Sequence, residues 1–523
     1  MTLRLGAGLA LAFASFAWPP AFAQELIPQT VTPQPALIHH PVSTQIPDAQ
    51  QKFDEGLTLV YAFNRDEAAK RFTNAAELDP KLAIAWWGVA LANGPNLNFG
   101  MTAARVTAAN DALAKAKALE TGASPEERRF IEALAARYPA TYAGSAAARG
   151  GYLTYRDAMA KVHADYPGDL DAATLYAESI LDVEDWGWHD GQPTGSAATV
   201  APLLESVLKR NPDHVGANHY YVHVMDFPGA AERALPSAMK LSGLPAEPAA
   251  SHLVHMSGHN YLDNGLFGPL ERDNKIAVDD DRRYAASIGK TPAQLDYFFH
   301  NLGFYLGGTL MLDDRAETDR AIAIARATKG GGIDSLAYAR ERRWEEVLAL
   351  PVPEKANSFD GLQGHYARGV AFVGSHDVRG AHAELATLDA TLVDATGFLK
   401  NFAEALDKLL AARVAHLDGD DATATARLRE VVAVVAPLPP EVFAPWYFPT
   451  GEWLGGILLH DGDFAGAEAA FRADLKRTPH NARALFGLMQ TLSRQGRIDE
   501  ARALSLEIAQ NWRGPLSDLR LDD

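Results

Sequence analysis

Cysteine is absent from the 523 residues. Disulfides, iron–sulfur clusters, thiolate zinc sites and cysteine nucleophiles are therefore excluded. The fold must be held by its apolar core, for which 47% hydrophobic residues is ample at this length. No dense basic patch offsets a formal charge of −18, a balance that repels phosphate backbones and argues against nucleic-acid binding. A phosphate loop is missing: Gly330 to Gly332 follow a helical stretch as a stop signal, without the Lys-Ser/Thr of a P-loop. Gly-x-Ser-x-Gly and His-Glu-x-x-His are also missing, so neither a serine-hydrolase elbow nor a standard zinc-protease site has support. Alternating β-branched runs are lacking, which argues against a sheet.

Long apolar runs are confined to the N-terminus. Arg4 precedes an uncharged apolar run from Leu5 to Trp18, and Ala21-Phe22-Ala23 supplies a small-x-small pattern before Gln24. This predicts a signal peptide over 1–23, cleaved after Ala23, and a periplasmic or secreted mature chain; an uncleaved anchor is the alternative. No later stretch reaches the roughly 18 apolar residues of a spanning helix, so no membrane span is expected after cleavage. Residues 24–50, with several prolines and little periodicity, read as an extended leader.

From Gln51 onwards the chain reads as helix after helix with short polar or proline-marked joints. FDEGLTLVYAFNRDEAAKRFTNAAELDP (Phe53 to Pro80) is one helix pair: Ala68 and Ala69 fall where two helices approach closely, Phe72 and Ala75 pack behind them, and Asp79-Pro80 ends the second helix. LAIAWWGVALANG then opens a new first helix. The same grammar returns near the C-terminus, where Gly462, Ala467, Phe471 and Pro479 occupy the equivalent packing and turn positions. The pattern resembles the tetratricopeptide repeat, about 34 residues per helix pair. One pair cannot bury its apolar face alone, so the resemblance implies an all-α solenoid of stacked pairs whose first helices line a concave surface. A joint at VPEKANSFDG suggests two segments, 51–350 and 351–523, although a long inter-repeat loop would read the same way.

Seven of the 17 histidines lie between His214 and His300. His219 and His223 are i and i+4, with Asp226 one turn on; His252, His255 and His259 are i, i+3 and i+7, and each set shares one helix face. His219 to His255 and His223 to His259 are both 36 residues, about one repeat period. His300 lies on a third helix. Parsed as first helices (214–227, 247–264 and 292–313), these elements sit side by side, with axes roughly 8–10 Å apart. Glu178 and Asp182 are i and i+4 on the preceding first helix. Imidazoles and carboxylates so arranged are a ligand set for Zn, Cu, Fe or Mn, with Glu178, His219, His223, His252, His255, His259 and His300 as candidates. More than four ligands allow two metals, or one metal with supporting partners. Met256 offers a soft ligand or simply core packing. The alternative is that the histidines hydrogen-bond to Glu178, Asp182, Tyr220 or carbonyls, or bind an organic ligand.

YAES, DWGWHDGQP, NPDHVGANHYYVHVMD, ASHLVHMSGHNYLDNG, FFHNLGF and WYFPTGEWLGG resemble a group of exported bacterial tetratricopeptide-repeat proteins over most of the mature chain. The resemblance implies a shared site at Glu178 and the six histidines, with Glu452 carried over more weakly. Two positions depart from the group: Arg65 stands where histidine is common, and Ser257-Gly258 replaces a Pro-Ser turn.

Trp86-Trp87 and the Gly94–Asn98 turn read as inter-repeat packing or as a ligand-stacking patch. Trp186, Trp188 and His189 read as loop residues that contact ligand. The expected function is a His/carboxylate metal site on the concave face of an exported repeat protein; an open position on the metal would make it a metal-dependent hydrolase or oxidoreductase, with Glu178 or Asp182 as ligand or general base. The alternatives are a scaffold gripping a peptide or small molecule in its groove and a metal storage or delivery protein.

Overall fold

The computed structural model describes residues 38–521 apart from 190, 228, 329–332, 394–395, 436–443 and 445–446. The expected signal peptide, most of the leader and the Gly330–Gly332 stop signal therefore lie outside the described residues. Among those described there are twenty-four α-helices and one two-stranded hairpin, all in the unit spanning Gln34–Asp523. The helices pair antiparallel with their sequence neighbours: Pro47–Tyr61 with Arg65–Leu78, Val215–Met225 with Leu235–Ser242, Ser251–Asp263 with Phe267–Ser287, Phe298–Leu312 with Arg315–Ala327, and Phe464–Arg477 between Thr450–His460 and Ala482–Arg494. No helix among the described residues is long and apolar enough to cross a membrane.

The pairing has a readable cause at both ends of the chain. Phe72 lies in a cleft between Gly56 and Gly88, where a Cβ would come within 2.8 and 2.3 Å of its ring. Phe471 lies likewise between Gly455 and Gly487, at 2.5 and 2.2 Å. In both cases the glycines stand thirty-two residues apart with the phenylalanine midway. A large ring on a second helix thus docks against side-chain-free positions on the two flanking first helices, and this fixes how closely successive pairs stack.

The turn inside each pair is also shared. A residue with left-handed backbone precedes the N-cap of the second helix at Phe63-Asn64, Asp313-Asp314, His376-Asp377 and Gly462-Asp463, and each cap side chain accepts a backbone N–H of the following turn. Phe63 holds φ +59° without being glycine, a conformation that costs energy for a bulky residue. Its ring bears on the histidines described below.

The structure alters two sequence expectations. Residues 38–46 of the leader are held down, because the His40 ring nitrogen Nδ1 bonds Asp171 at 2.9 Å and the Ser43 amide donates to Glu127 at 2.7 Å. Trp186–His189 and Gln192–Gly195 form an antiparallel hairpin rather than a loop. The turn at 351–358 separates Trp344–Ala349 from Phe359–Gly374, and Pro353 packs on Gly364, where a Cβ would lie 2.5 Å away.

Candidate metal centre

The expected first helices are present as Leu170–Leu181, Val215–Met225, Ser251–Asp263 and Phe298–Leu312. Adjacent members pack together, and the six histidines from three of them meet in one continuous array. They fall into two triads. His255 and His259 join His300, and His219 and His223 join His252; within each triad one ligand atom per residue lies within 4.8 Å of the others.

The first triad is built from its supports inwards. The Asn274 Nδ2 donates to the Leu270 carbonyl at 2.9 Å, which turns Oδ1 towards His255. His255 Nδ1–H donates to that oxygen at 2.6 Å, so Nε2 carries the lone pair. Asn274 reaches this far because residue 258 is glycine, where a Cβ would lie 2.3 Å from Nδ2. His259 Nδ1 is matched by the Asp226 carboxylate at 2.9 Å, which fixes its tautomer in the same sense. The two Nε2 atoms then face each other at 3.1 Å, and His259 Nε2 lies 3.1 Å from His300 Nε2. Lone pairs at that distance repel unless something positive sits between them. Burial, with His300 and His259 nearby, holds His255 well below the ordinary imidazole range, so His255 Nε2 is not itself the protonated partner. Ligands about 2.0–2.1 Å from a tetrahedral ion sit about 3.3–3.4 Å from each other, so the spacing fits a divalent metal.

Fully buried His255 lies at the back of the triad; His300 is exposed at the front, although the protein crowding it lowers its pKa to about 3. His259 and His300 line a cavity of about 400 Å³, together with His223, Asp226, Asp296 and the rings of Phe99, Trp186, Phe227 and Tyr297. The hairpin supplies one wall. Trp188 Nε1–H donates to the Val224 carbonyl at 2.8 Å, near the end of the Val215–Met225 helix, and Trp186 Nε1–H to that of His223 at 3.4 Å, which also accepts the Asp226 amide. Trp186 therefore does line a cavity beside the histidines. Trp87 packs in the core between Phe53 and Phe130, and Trp86 lies beneath Lys115.

The second triad lies behind Phe63, whose ring centroid is 4.5 Å from His219, 5.9 Å from His223 and 5.3 Å from His252. His219 Nδ1–H donates to the Tyr61 carbonyl at 2.5 Å. His219 Nε2, His223 Nε2 and both nitrogens of His252 are buried without a hydrogen-bond partner. Burial pushes His219 down to about 3 and His223 and His252 well below the usual range, so all three are neutral near pH 7.

Glu178 and Asp182 are not brought to the histidines. Both are buried against Arg137; a Glu178 oxygen lies 3.6 Å from its guanidinium and Asp182 is in direct contact with it. Burial and Asp182 push Glu178 up to about 8, against the opposing pull of Arg137. Glu452 is held bidentately by Arg340 at 2.8 and 2.9 Å, with Asn481 also donating to it at 2.8 Å. Arg65 reaches the carbonyls of Gly94 and Gly100 and lines a second cavity, of about 430 Å³, that His252 and Tyr297 also border. Met256 is fully buried in the core.

Asn274 and Tyr61 are supporting residues that sequence spacing did not assign, and Asp226, which spacing sets one turn past His223, supports His259 instead. A further cluster, His40, Asp169 and Asp171, also escaped notice: Asp171 receives the Tyr61 hydroxyl at 2.8 Å and lies 3.2 Å from His214 Nε2.

Residues 458–510 match the family model described as tetratricopeptide repeat. No curated protein matches the chain. Among solved structures, the human IFIT1 dimer with PPP-AAAA aligns at 12% identity over 90% of this chain and 96% of that one, with TM-score 0.33. The P58(IPK) TPR domain aligns at 13% over 76% and 96%, with TM-score 0.22. Naa15/Naa10 bound to HypK-THB aligns at 14% over 88% and 70%, with TM-score 0.21. The tetratricopeptide-repeat match thus covers residues 458–510, and the same helix-pair packing recurs at the N-terminal end of the chain.

Proposed function

We propose that this repeat scaffold serves to hold a divalent transition metal on His255, His259 and His300 and to present it to the 400 Å³ cavity beside them. One observation carries the reading: His259 Nε2 lies 3.1 Å from both His255 Nε2 and His300 Nε2, while Asn274 and Asp226 occupy the Nδ1 atoms of His255 and His259. Hydrogen-bonded partners of this kind are what orient imidazole ligands at metal sites. Three protein ligands leave a tetrahedral ion one further position, and a divalent ion there supplies a Lewis acid to whatever enters the cavity.

A metal-dependent hydrolase or oxidoreductase follows from that open position, with the aromatic walls selecting a substrate that has an apolar face. In such chemistry Asp226, whose Oδ1 has no hydrogen-bond partner, is better placed to accept a proton than Glu178 or Asp182. The signal-like N-terminus supports delivery to the periplasm or outside the cell, where mature protein would begin at Gln24.

The test is metal content by mass spectrometry on protein made without a histidine tag. Stoichiometric metal in the wild type and its loss in His259→Ala would support the reading. Protein that remains metal-free after incubation with Zn²⁺, Cu²⁺, Fe²⁺ and Mn²⁺ would sink it, leaving a peptide-gripping scaffold as the function.

A further inference from the structure

We infer that His219, His223 and His252 hold a second divalent ion next to the first, making the six imidazoles a two-ion centre. The inference rests on the first triad being a metal site, but different atoms carry it.

The first support is unmet bonding. Four ring nitrogens of the second triad are buried with no hydrogen-bond partner. Leaving a buried polar group unpaired costs roughly 1–3 kcal/mol each, and native proteins contain few such groups. Here four occur among three residues whose ligand atoms lie within 4.8 Å of one another. Because Tyr61 takes the Nδ1 proton of His219, the nitrogen left over is an unprotonated Nε2. One cation would take a lone pair from each ring and so meet three of the four, leaving only the second nitrogen of His252.

The second support is the repeat itself. Each triad takes an i, i+4 pair from one first helix and its third histidine from the next: His219 and His223 with His252, then His255 and His259 with His300. Advancing one repeat carries the first construction onto the second. Whatever packing makes one triad converge therefore makes the other converge as well. The triads adjoin, with His252 and His255 ring centroids 5.5 Å apart and those of His223 and His259 6.3 Å apart. The middle helix serves both.

The surroundings make the two sites unequal. Asp226 puts a negative charge against the first triad, whereas the second is backed by a carbonyl and by the rings of Phe63 and Tyr297, the latter stacked on His252 at 4.0 Å. An all-nitrogen site in apolar walls suits zinc or copper and disfavours the hard, oxygen-seeking ions. Loading should be sequential, with the Asp226-supported triad filling first.

The experiment titrates metal-free protein with Co²⁺, following visible absorption and bound metal after gel filtration. Two ions per chain are expected in the wild type, one in His252→Ala and one in His300→Ala, with distinct spectra in the two variants. Circular dichroism confirms that each variant is folded, and His252→Gln repeats the test with a smaller change in volume. A wild type that saturates at one ion, unchanged by His252→Ala and lost in His259→Ala, overturns the second site and leaves the first standing. A wild type that binds none overturns both.

Discussion

Asn274 shows how much of the proposed centre depends on residues outside its ligand set. It orients His255 only because Leu270 fixes its own amide and Gly258 lets it approach. Asn274→Ala should leave the ligands in place but free the His255 ring, and loss of such supports typically weakens metal affinity ten- to a hundredfold. A competition titration against a chromophoric chelator would measure this; unchanged affinity would mean that the hydrogen bond is structural only. Glu178 makes the opposite case. Its i, i+4 spacing with Asp182, one repeat upstream of the histidines, is legible in the sequence and points towards the site. The guanidinium that claims both carboxylates comes from Arg137, in a different helix pair, and no local pattern announces it. Glu178→Gln should therefore keep full metal content, and metal lost from a folded variant would restore the glutamate to the site. The variant should also change pH dependence. A carboxyl raised from 4.5 to about 8 adds stability at low pH that is lost as pH rises through 8, so the variant gains on the wild type over that interval in urea unfolding.

At the scale of helices, the histidines were legible because a ligand pair needs only i, i+4 spacing and a repeat period, both of which are local. How they group was not legible. The matching 36-residue registers align His219 with His255 and His223 with His259, yet His252 reaches back to the earlier pair, a result of how one helix sits against the next. The hairpin at Trp186–Gly195 escaped because its strands are four residues long and one carries Pro193, although Asp190-Gly191 is a known turn signal. The docked leader escaped because its anchors, Asp171 for His40 and Glu127 for Ser43, lie 131 and 84 residues away in sequence. Burial alone would lower the His40 pKa, but Asp171, helped by Asp169, outweighs it and lifts the imidazole to about 9. A histidine raised on folding contributes stability that is complete below 6.5 and disappears as pH rises through 9, at most about 3 kcal/mol at 1.36 kcal/mol per unit. Hydrogen exchange at 38–46, corrected for intrinsic rates, should lose protection between pH 7 and 9.5. His40→Gln should abolish that dependence, and a pH-independent wild type would show that the histidine does not hold the leader.

Over the whole Gln34–Asp523 unit, the C-terminal repeats do more than extend the stack, because they grip the helix that carries His300. Arg483 Nη1 donates to the Leu310 carbonyl at 3.1 Å and the Arg513 amide to that of Leu312 at 2.7 Å, both at the end of Phe298–Leu312. The approach that permits this runs through Gly265, which has φ +67° and where a Cβ would lie 1.9 Å from the Pro479 carbonyl oxygen. No side chain can yield there, since both partners are backbone. Gly265→Ala should cost at least about 2 kcal/mol, combining an unfavourable backbone region with a backbone clash. The displaced repeat would draw Arg483 away from the His300 helix while leaving the Val215–Met225 helix untouched. The expected signature is selective: weaker binding of the ion held by His255, His259 and His300, with a smaller effect on the ion held by His219, His223 and His252, because His252 lies at the far end of the helix that Gly265 follows. Gly369→Ala, on the Phe359–Gly374 helix, which bears neither Arg483 nor Arg513, is the control, because a Cβ there meets the Leu410 side chain at 2.4 Å and should lower stability without that selectivity. Equal weakening of both ions in Gly265→Ala, or none in a variant shown to be destabilised, would mean that the C-terminal repeats do not position the metal centre.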